Sequence, residues 1–301
     1  MRSTVLAVDI GGTTFAAATV RADRSIVDRA EVPIGADPTG TLTALVGRFD
    51  LTGVAGVGVG SAGPVHLDLG AVSPVNIPAW RRFPITAALA DLTGGRPVAL
   101  AGDAQCMALG EYWHGRTSSL LGVVVSTGVG GGLVLDGEPY LGRTGNAGHI
   151  GHIAVGQDDE PCPCGASGCV ESTASGPGMV RWARANGWTG GTDARALAAD
   201  AARGTPVARQ AFARGADALA VAIVNTATLF DLHTVVVGGG VAAAGPVLFG
   251  PLRAAVAQRA GIGFLHDLTV LPTALGRDAG LYGAAALALT RAGLRPQPAR
   301  I

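Results

Sequence analysis

The sequence predicts an α/β protein of two domains with a cleft between them. Three observations carry this. A short apolar strand ends on Asp9 and runs into Gly11-Gly12-Thr13-Thr14, the same grammar returns at Leu121–Val125 followed by Ser126–Gly132, and helical segments separate the strands in each half. At 301 residues the chain is long enough for two domains and a large buried core.

The elements follow in order. Thr4–Val8 and Phe15–Val20 read as paired strands around a glycine turn, with a polar turn at 21–24. Leu42–Phe49 has helical spacing, Val54–Gly60 and Val98–Ala101 read as strands, and Ala104–Trp113 reads as a helix. In the second half, Gly132–Leu135 is the return strand after the glycine turn. Helices are expected at Gly178–Ala185, Pro206–Leu229 and Pro246–Arg259, and a strand at Thr234–Val237 runs into Gly238-Gly239-Gly240. The tail after Ala292, with Pro296 and Pro298, is expected to fray.

Composition excludes several classes. Hydrophobic residues make up 48% and charged residues 15%, with a formal net charge of +0, which argues against a nucleic-acid-binding surface. All 22 basic residues are arginine, so no lysine is available for a P-loop. No apolar run approaches a membrane span and no signal-peptide pattern is present, so a cytoplasmic location is expected. Gly58-Val59-Gly60-Ser61-Ala62-Gly63 satisfies G-x-G-x-x-G literally, yet Pro64 follows and no helix opens there, so the dinucleotide context fails.

Glycines let a backbone approach an anion closely, and successive amides and hydroxyls can hold phosphate. Gly11, Gly12, Thr13 and Thr14 form one such turn, Thr127, Gly128 and Gly130 a second, and Gly239 belongs to a third. Each alone fits a tight turn equally well; together they fit a nucleotide. Asp103 stands where a strand gives way to a helix, a position suited to an N-cap or to a general base for phosphoryl transfer. Asp9 is the candidate on the Mg²⁺ side. His152, Cys162, Cys164 and Cys169 supply four N and S ligands within one loop, the donor set of a closed structural Zn²⁺ site. Buried free thiols are the alternative for the cysteines, and Cys106 reads as a core residue.

The sequence resembles the ROK family of sugar kinases and related repressors, within the actin-like ATPase superfamily. The matching stretches are D-I-G-G-T at Asp9–Thr13, G-D-A at Gly102–Ala104, S-T-G-V-G-G-G at Ser126–Gly132, A-G-x-I-G-H ending at His152, C-x-C-G-x-x-G-C-x-E from Cys162 to Glu171, and V-V-G-G-G near Val237. The resemblance implies two actin-like (ribonuclease H-like) α/β domains with a zinc-bound loop. Their expected limits are 1–116, completed by the C-terminal helix 281–293, and 117–280 with the zinc loop 152–171. It implies ATP and Mg²⁺, transfer of the γ-phosphoryl to a sugar hydroxyl (usually O6), Asp103 as the base, and a homodimer or homotetramer. It also implies that His152 helps place the sugar while binding zinc, that Glu171 bonds a sugar hydroxyl near the anomeric end, and that Gly63 and Asn76 contact the sugar. Regulators of the family carry a DNA-binding winged helix ahead of the first glycine turn, which here begins at residue 9, so a repressor is not expected.

Two positions depart from the pattern of the family's glucokinases. Gly102 stands where Asn usually precedes the catalytic Asp, and His149 stands where Glu usually lies three residues before the zinc histidine. Drift is the plain alternative, but the joint change predicts a substrate modified relative to glucose. "AGHIGH" and "VSTGVGGG" look most like bacterial N-acetylmannosamine kinases, while space by C3 suggests 3-amino-3-deoxyglucose (kanosamine). Glucose itself, or a non-catalytic sugar sensor, are the remaining readings.

Overall fold

The computed structural model describes residues 3–156 and 160–294; most of the tail expected to fray lies outside them. The chain folds into two compact units. The first holds the residues up to Ser118, Gly132–Ala147 and those from Arg277 on; the second holds Ser119–Gly131 and Gly148–Gly276.

In the first unit, β1 (Thr4–Ile10), β2 (Thr14–Arg21) and β3 (Ile26–Pro33) form an antiparallel meander. After α1 (Pro38–Val46) comes β4 (Val54–Ser61), which joins the far side of β1 in parallel. A small ribbon of β5 (Val65–His66) and β6 (Ala71–Val72) precedes α2 (Ile85–Leu92). Then β7 (Val98–Gly102) pairs parallel with β4, and α3 (Asp103–Trp113) follows it at once. The sheet order is β3-β2-β1-β4-β7. The continuous apolar run of β1 is what a central strand covered on both faces needs. Against this sheet pack Leu42, Leu45, Ile85 and Leu89 from the helices, and Trp80 stacks on both Phe15 (5.2 Å) and Phe83 (4.3 Å).

The helix expected at Leu42–Phe49 starts and stops earlier. The Asp37 carboxylate caps the Gly40 amide, Pro38 occupies the first turn, and Gly47 closes the helix at Val46. The literal dinucleotide motif has a packing explanation. A Cβ on Gly58 would lie 1.8 Å from the Ala284 carbonyl oxygen, and one on Gly60 would lie 2.9 Å from the Cys106 sulfur. Those glycines therefore let helices lie against β4, and Gly63-Pro64 leads into β5 rather than a helix.

The second sheet has the order β10-β9-β8-β11-β12. Its strands are β8 (Leu120–Val125), β9 (Val129–Leu135), β10 (Glu138–Tyr140), β11 (Thr234–Gly238) and β12 (Thr269–Pro272). Between β10 and β11 run α4 (Val170–Ala174), α5 (Gly176–Ala185), α6 (Ala194–Ala202) and α7 (Pro206–Phe230); α8 (Pro246–Arg259) precedes β12. None of the described helices is long and apolar enough to cross a membrane. The return strand expected from Gly132 begins three residues earlier, so Gly130 is a strand residue rather than part of a turn. Glycines carry no hydrophobic signal, which hides the start of this strand in the sequence. Gly132–Ala147, expected with the second half, packs with the first unit: the buried Gln105 amide donates to the Leu133 carbonyl and accepts from its N–H, and Asn146 brackets Val65.

The chain returns to the first unit in α9 (Ala279–Arg291). Where α9 crosses α3, a Cβ on Gly110 would lie 2.4 Å from the Ala279 oxygen, and one on Gly283 only 1.7 Å from the Cys106 oxygen. The two helices touch backbone to backbone at a pair of glycines.

Candidate active site

The first unit gathers the carboxylates. β1 carries Asp9 to the edge of the turn, Gly11 N–H donates to the Thr14 carbonyl at 3.1 Å, and Thr14 opens β2. The Thr13 carbonyl accepts from the Ile34 amide, so the turn is tied to the end of β3. A Cβ on Gly12 would lie 2.7 Å from the Asn76 amide nitrogen, which places Asn76 directly over the glycine turn. Asp103 is the first residue of α3, and its carboxylate accepts from the Ala104 amide at 2.7 Å. The N-cap position that the capping alternative expects for Asp103 is taken by Gly102, so Asp103 is the first helical residue and its carboxylate bonds the next amide rather than capping the helix.

Asp9 and Asp103 are close enough to act on one another. The carboxyl of the half-buried Asp9 is pushed up to about 7, first by burial and then by the Asp103 and Glu31 carboxylates. Arg29 opposes this. It donates to Asp278 at 2.7 Å and to Glu31 at 3.0 Å, and Arg277 also pairs with Glu31. Sequence reading missed this ion-pair group because its members lie about 250 residues apart. A carboxyl held up in this way is suited to a divalent cation, which would favour its ionised form; Asp9 therefore fits a Mg²⁺ ligand, direct or through water.

Gly102 has an ordinary backbone conformation, and a Cβ there would meet only the Ser61 oxygen, at 4.0 Å. Crowding does not require the glycine. Gly63 lies two residues beyond Ser61, the end of β4, whose hydroxyl donates to the Ala62 carbonyl.

The second unit holds the other glycine turn and the cysteines. Ser126, Thr127 and Gly128 connect β8 to β9, with the Ser126 amide donating to the Gly128 carbonyl at 2.8 Å. Gly239 has φ +91°, and a Cβ there would lie 2.4 Å from the Val125 oxygen, so this third glycine turn lies against the end of β8. Gly176, at the start of α5, donates to the Ser126 carbonyl at 2.8 Å. Sequence reading did not single out Gly176, although S-G-P before a helix is a start signal. Glu171, on the first turn of α4, accepts from the Val129 amide at 2.9 Å.

His152, Cys162, Cys164 and Cys169 come together with one ligand atom of each within 4.8 Å of the others. Cys162 Sγ lies 3.7 Å from His152 Nδ1, and Cys164 Sγ 3.7 Å from Cys169 Sγ. Ligands at ~2.3 Å from zinc would be spaced by roughly 3.8 Å along a tetrahedral edge. Backbone bonds from Cys162 N–H to Ala166 and from Gly168 N–H to Glu160, with Gly165 and Gly168 at positive φ, shape the knuckle. Burial and the neighbouring thiols push Cys169 up to about 12, burial raises Cys162, and the Ala166 amide lowers Cys164. A Zn²⁺ ion would be held by these four residues and would supply charge neutralisation and loop rigidity. With all four positions taken by protein, it would leave none open for water. His149 lies beside the cluster, its ring nearly parallel to that of His152 with centroids 6.2 Å apart.

The chain belongs to the ROK family, whose model matches residues 5–291. It is 39% identical over 293 residues to an N-acetylmannosamine kinase of Shigella flexneri, covering 95% of this chain and 98% of the relative. It superposes with a TM-score of 0.82 on a ROK family glucokinase from Streptomyces griseus in complex with glucose and AMPPNP. Identity there is 30%, covering 95% of this chain and 99% of that one. A ROK hexokinase from Thermus thermophilus gives 0.81 at 30% identity, over 96% and 99% of the two chains.

Proposed function

We propose that the protein transfers the γ-phosphoryl group of ATP to a hydroxyl of a hexose or amino sugar, at O6. The observation that carries this is the position of Asp103 at the β7–α3 junction, near enough to Asp9 to disfavour its ionisation and in the same unit as the Gly11–Thr14 turn. In this reading Asp103 accepts the proton of the sugar hydroxyl as its oxygen bonds the γ-phosphorus, and the bond to the ADP oxygen breaks. The glycine turns hold the triphosphate through their amides and the hydroxyls of Thr13, Thr14 and Thr127. Asp9 holds Mg²⁺ on the phosphates, where the ion neutralises charge. Glu171, His152, Asn76 and Gly63 place the sugar.

Within that class the reading favours a substrate modified relative to glucose. N-Acetylmannosamine is supported by relatives that bear that activity in their names, and kanosamine by the open space at Gly102. The domain limits 1–116 with 281–293 and 117–280, a cytoplasmic location and a homodimer or homotetramer belong to the same proposal. A coupled ADP-release assay with glucose, N-acetylmannosamine and kanosamine tests it. Preference for either amino sugar supports the altered pocket, and preference for glucose contradicts it. Sugar and nucleotide binding without transfer to any of the three would favour the sensor.

A further inference from the structure

At Val129, where the second glycine turn enters β9, the amide is hydrogen-bonded and the carbonyl is closely packed. Its N–H donates to Glu171 Oε2 at 2.9 Å. On its carbonyl side Gly151 lies so close that an added Cβ would be 1.9 Å from the oxygen. The carboxylate also covers Gly128, where a Cβ would lie 2.6 Å from Glu171 Oε2. Both residues neighbour members of the cysteine–histidine cluster: Gly151 immediately precedes His152, and Glu171 follows Cys169 by two residues on the same helix start. The Val170 amide donates to the Ile153 carbonyl at 3.0 Å, which joins these two segments.

From this clasp we infer that Glu171 is a positioning residue for the nucleotide, acting through the Val129 amide to fix the Ser126–Val129 turn. The inference rests on the kinase reading above and adds to Glu171 a task separate from any contact with sugar. A turn that binds phosphate must hold several amides in one orientation before the ligand arrives. A carboxylate accepting from the last amide of that turn fixes its exit, while Gly176 fixes its entry through Ser126. The negative charge alone would repel phosphate, so Glu171 helps nucleotide binding only through the hydrogen bond.

That contrast sets the test, which is titration of AMPPNP with Mg²⁺ into the full chain without sugar. Glu171→Asp keeps the charge but shortens the reach to Val129, and Glu171→Gln keeps an acceptor while removing the charge. The positioning role predicts that Glu171→Asp raises the nucleotide Kd about tenfold, the scale of one charged hydrogen bond. Glu171→Gln should stay within about twofold of the wild type, with zinc content unchanged in both. Wild-type affinity in Glu171→Asp, or tighter binding in Glu171→Gln with no loss in Glu171→Asp, would overturn it. A residue that only contacts sugar would leave these sugar-free affinities alone. A wild-type chain that binds no nucleotide would refute the kinase reading itself, and the positioning role with it.

Discussion

At residue 102 a missing side chain is as informative as a present one. No neighbour crowds that position, so Gly102→Asn should fold and should restore a hydrogen-bonding amide next to Asp103. The expected outcome is a gain of at least about tenfold in kcat/KM for glucose relative to the amino sugars, measured with all three in one coupled assay. Asp9 gives a second prediction. Its carboxyl titrates near 7 in the folded protein and near 3.8 when unfolded. The folded state thus binds the extra proton between those values, and stability falls as pH rises from about 4 to about 7. Glu31 and Arg29 contribute with opposite signs, so the curve reflects their balance as well. Asp9→Asn removes the cost: without ligand its Tm should exceed the wild type's by at least about 2 °C at pH 8, with little difference at pH 4. Equal gaps at both pH values would show that Asp9 titrates normally.

Among the elements, the strands and helices with strong apolar periods were legible, and those whose cues are glycines were not. Asp37-Pro38 and Gly47 were readable cap signals that the apolar spacing of Leu42–Phe49 obscured. The start of β9 was hidden because Gly130, Gly131 and Gly132 have no side chains to alternate. The cysteine knuckle was legible in full, since its ligands lie within one loop and need only local geometry. The Arg29–Glu31–Arg277–Asp278 group and the Val129 clasp were not, because both depend on which distant segments the fold brings together. Two predictions belong here. Gly283→Ala should force α9 away from α3 and cost at least about 3 kcal/mol in a urea titration, since the new methyl would meet backbone that cannot move alone. Purified protein should hold one zinc per chain by elemental analysis. Stripping it with a chelator, or Cys169→Ser, should lower the unfolding midpoint.

For the whole molecule, the family to which the chain belongs defines the class of reaction, sugar phosphorylation, while the proposed roles of the glycine turns and of the first unit's carboxylates describe how it would proceed. The first unit holds the candidate base and the candidate metal carboxylate, and the second holds the candidate phosphate turn, whose Val129 amide bonds Glu171, and the cysteine–histidine cluster. The strand, glycine turn and strand repeated in each half were legible. The return of Gly132–Ala147 to the first unit was not, because it depends on Gln105 and Asn146 bonding to backbone far along the chain. The claim on which the account turns is that Asp103 takes the proton from the acceptor hydroxyl. Phosphoryl transfer by Asp103→Asn, measured beside calorimetric binding of the preferred sugar, tests it most directly. The account predicts a fall in kcat of at least about a hundredfold with sugar affinity within a few-fold of the wild type. Turnover within a few-fold of the wild type would contradict it.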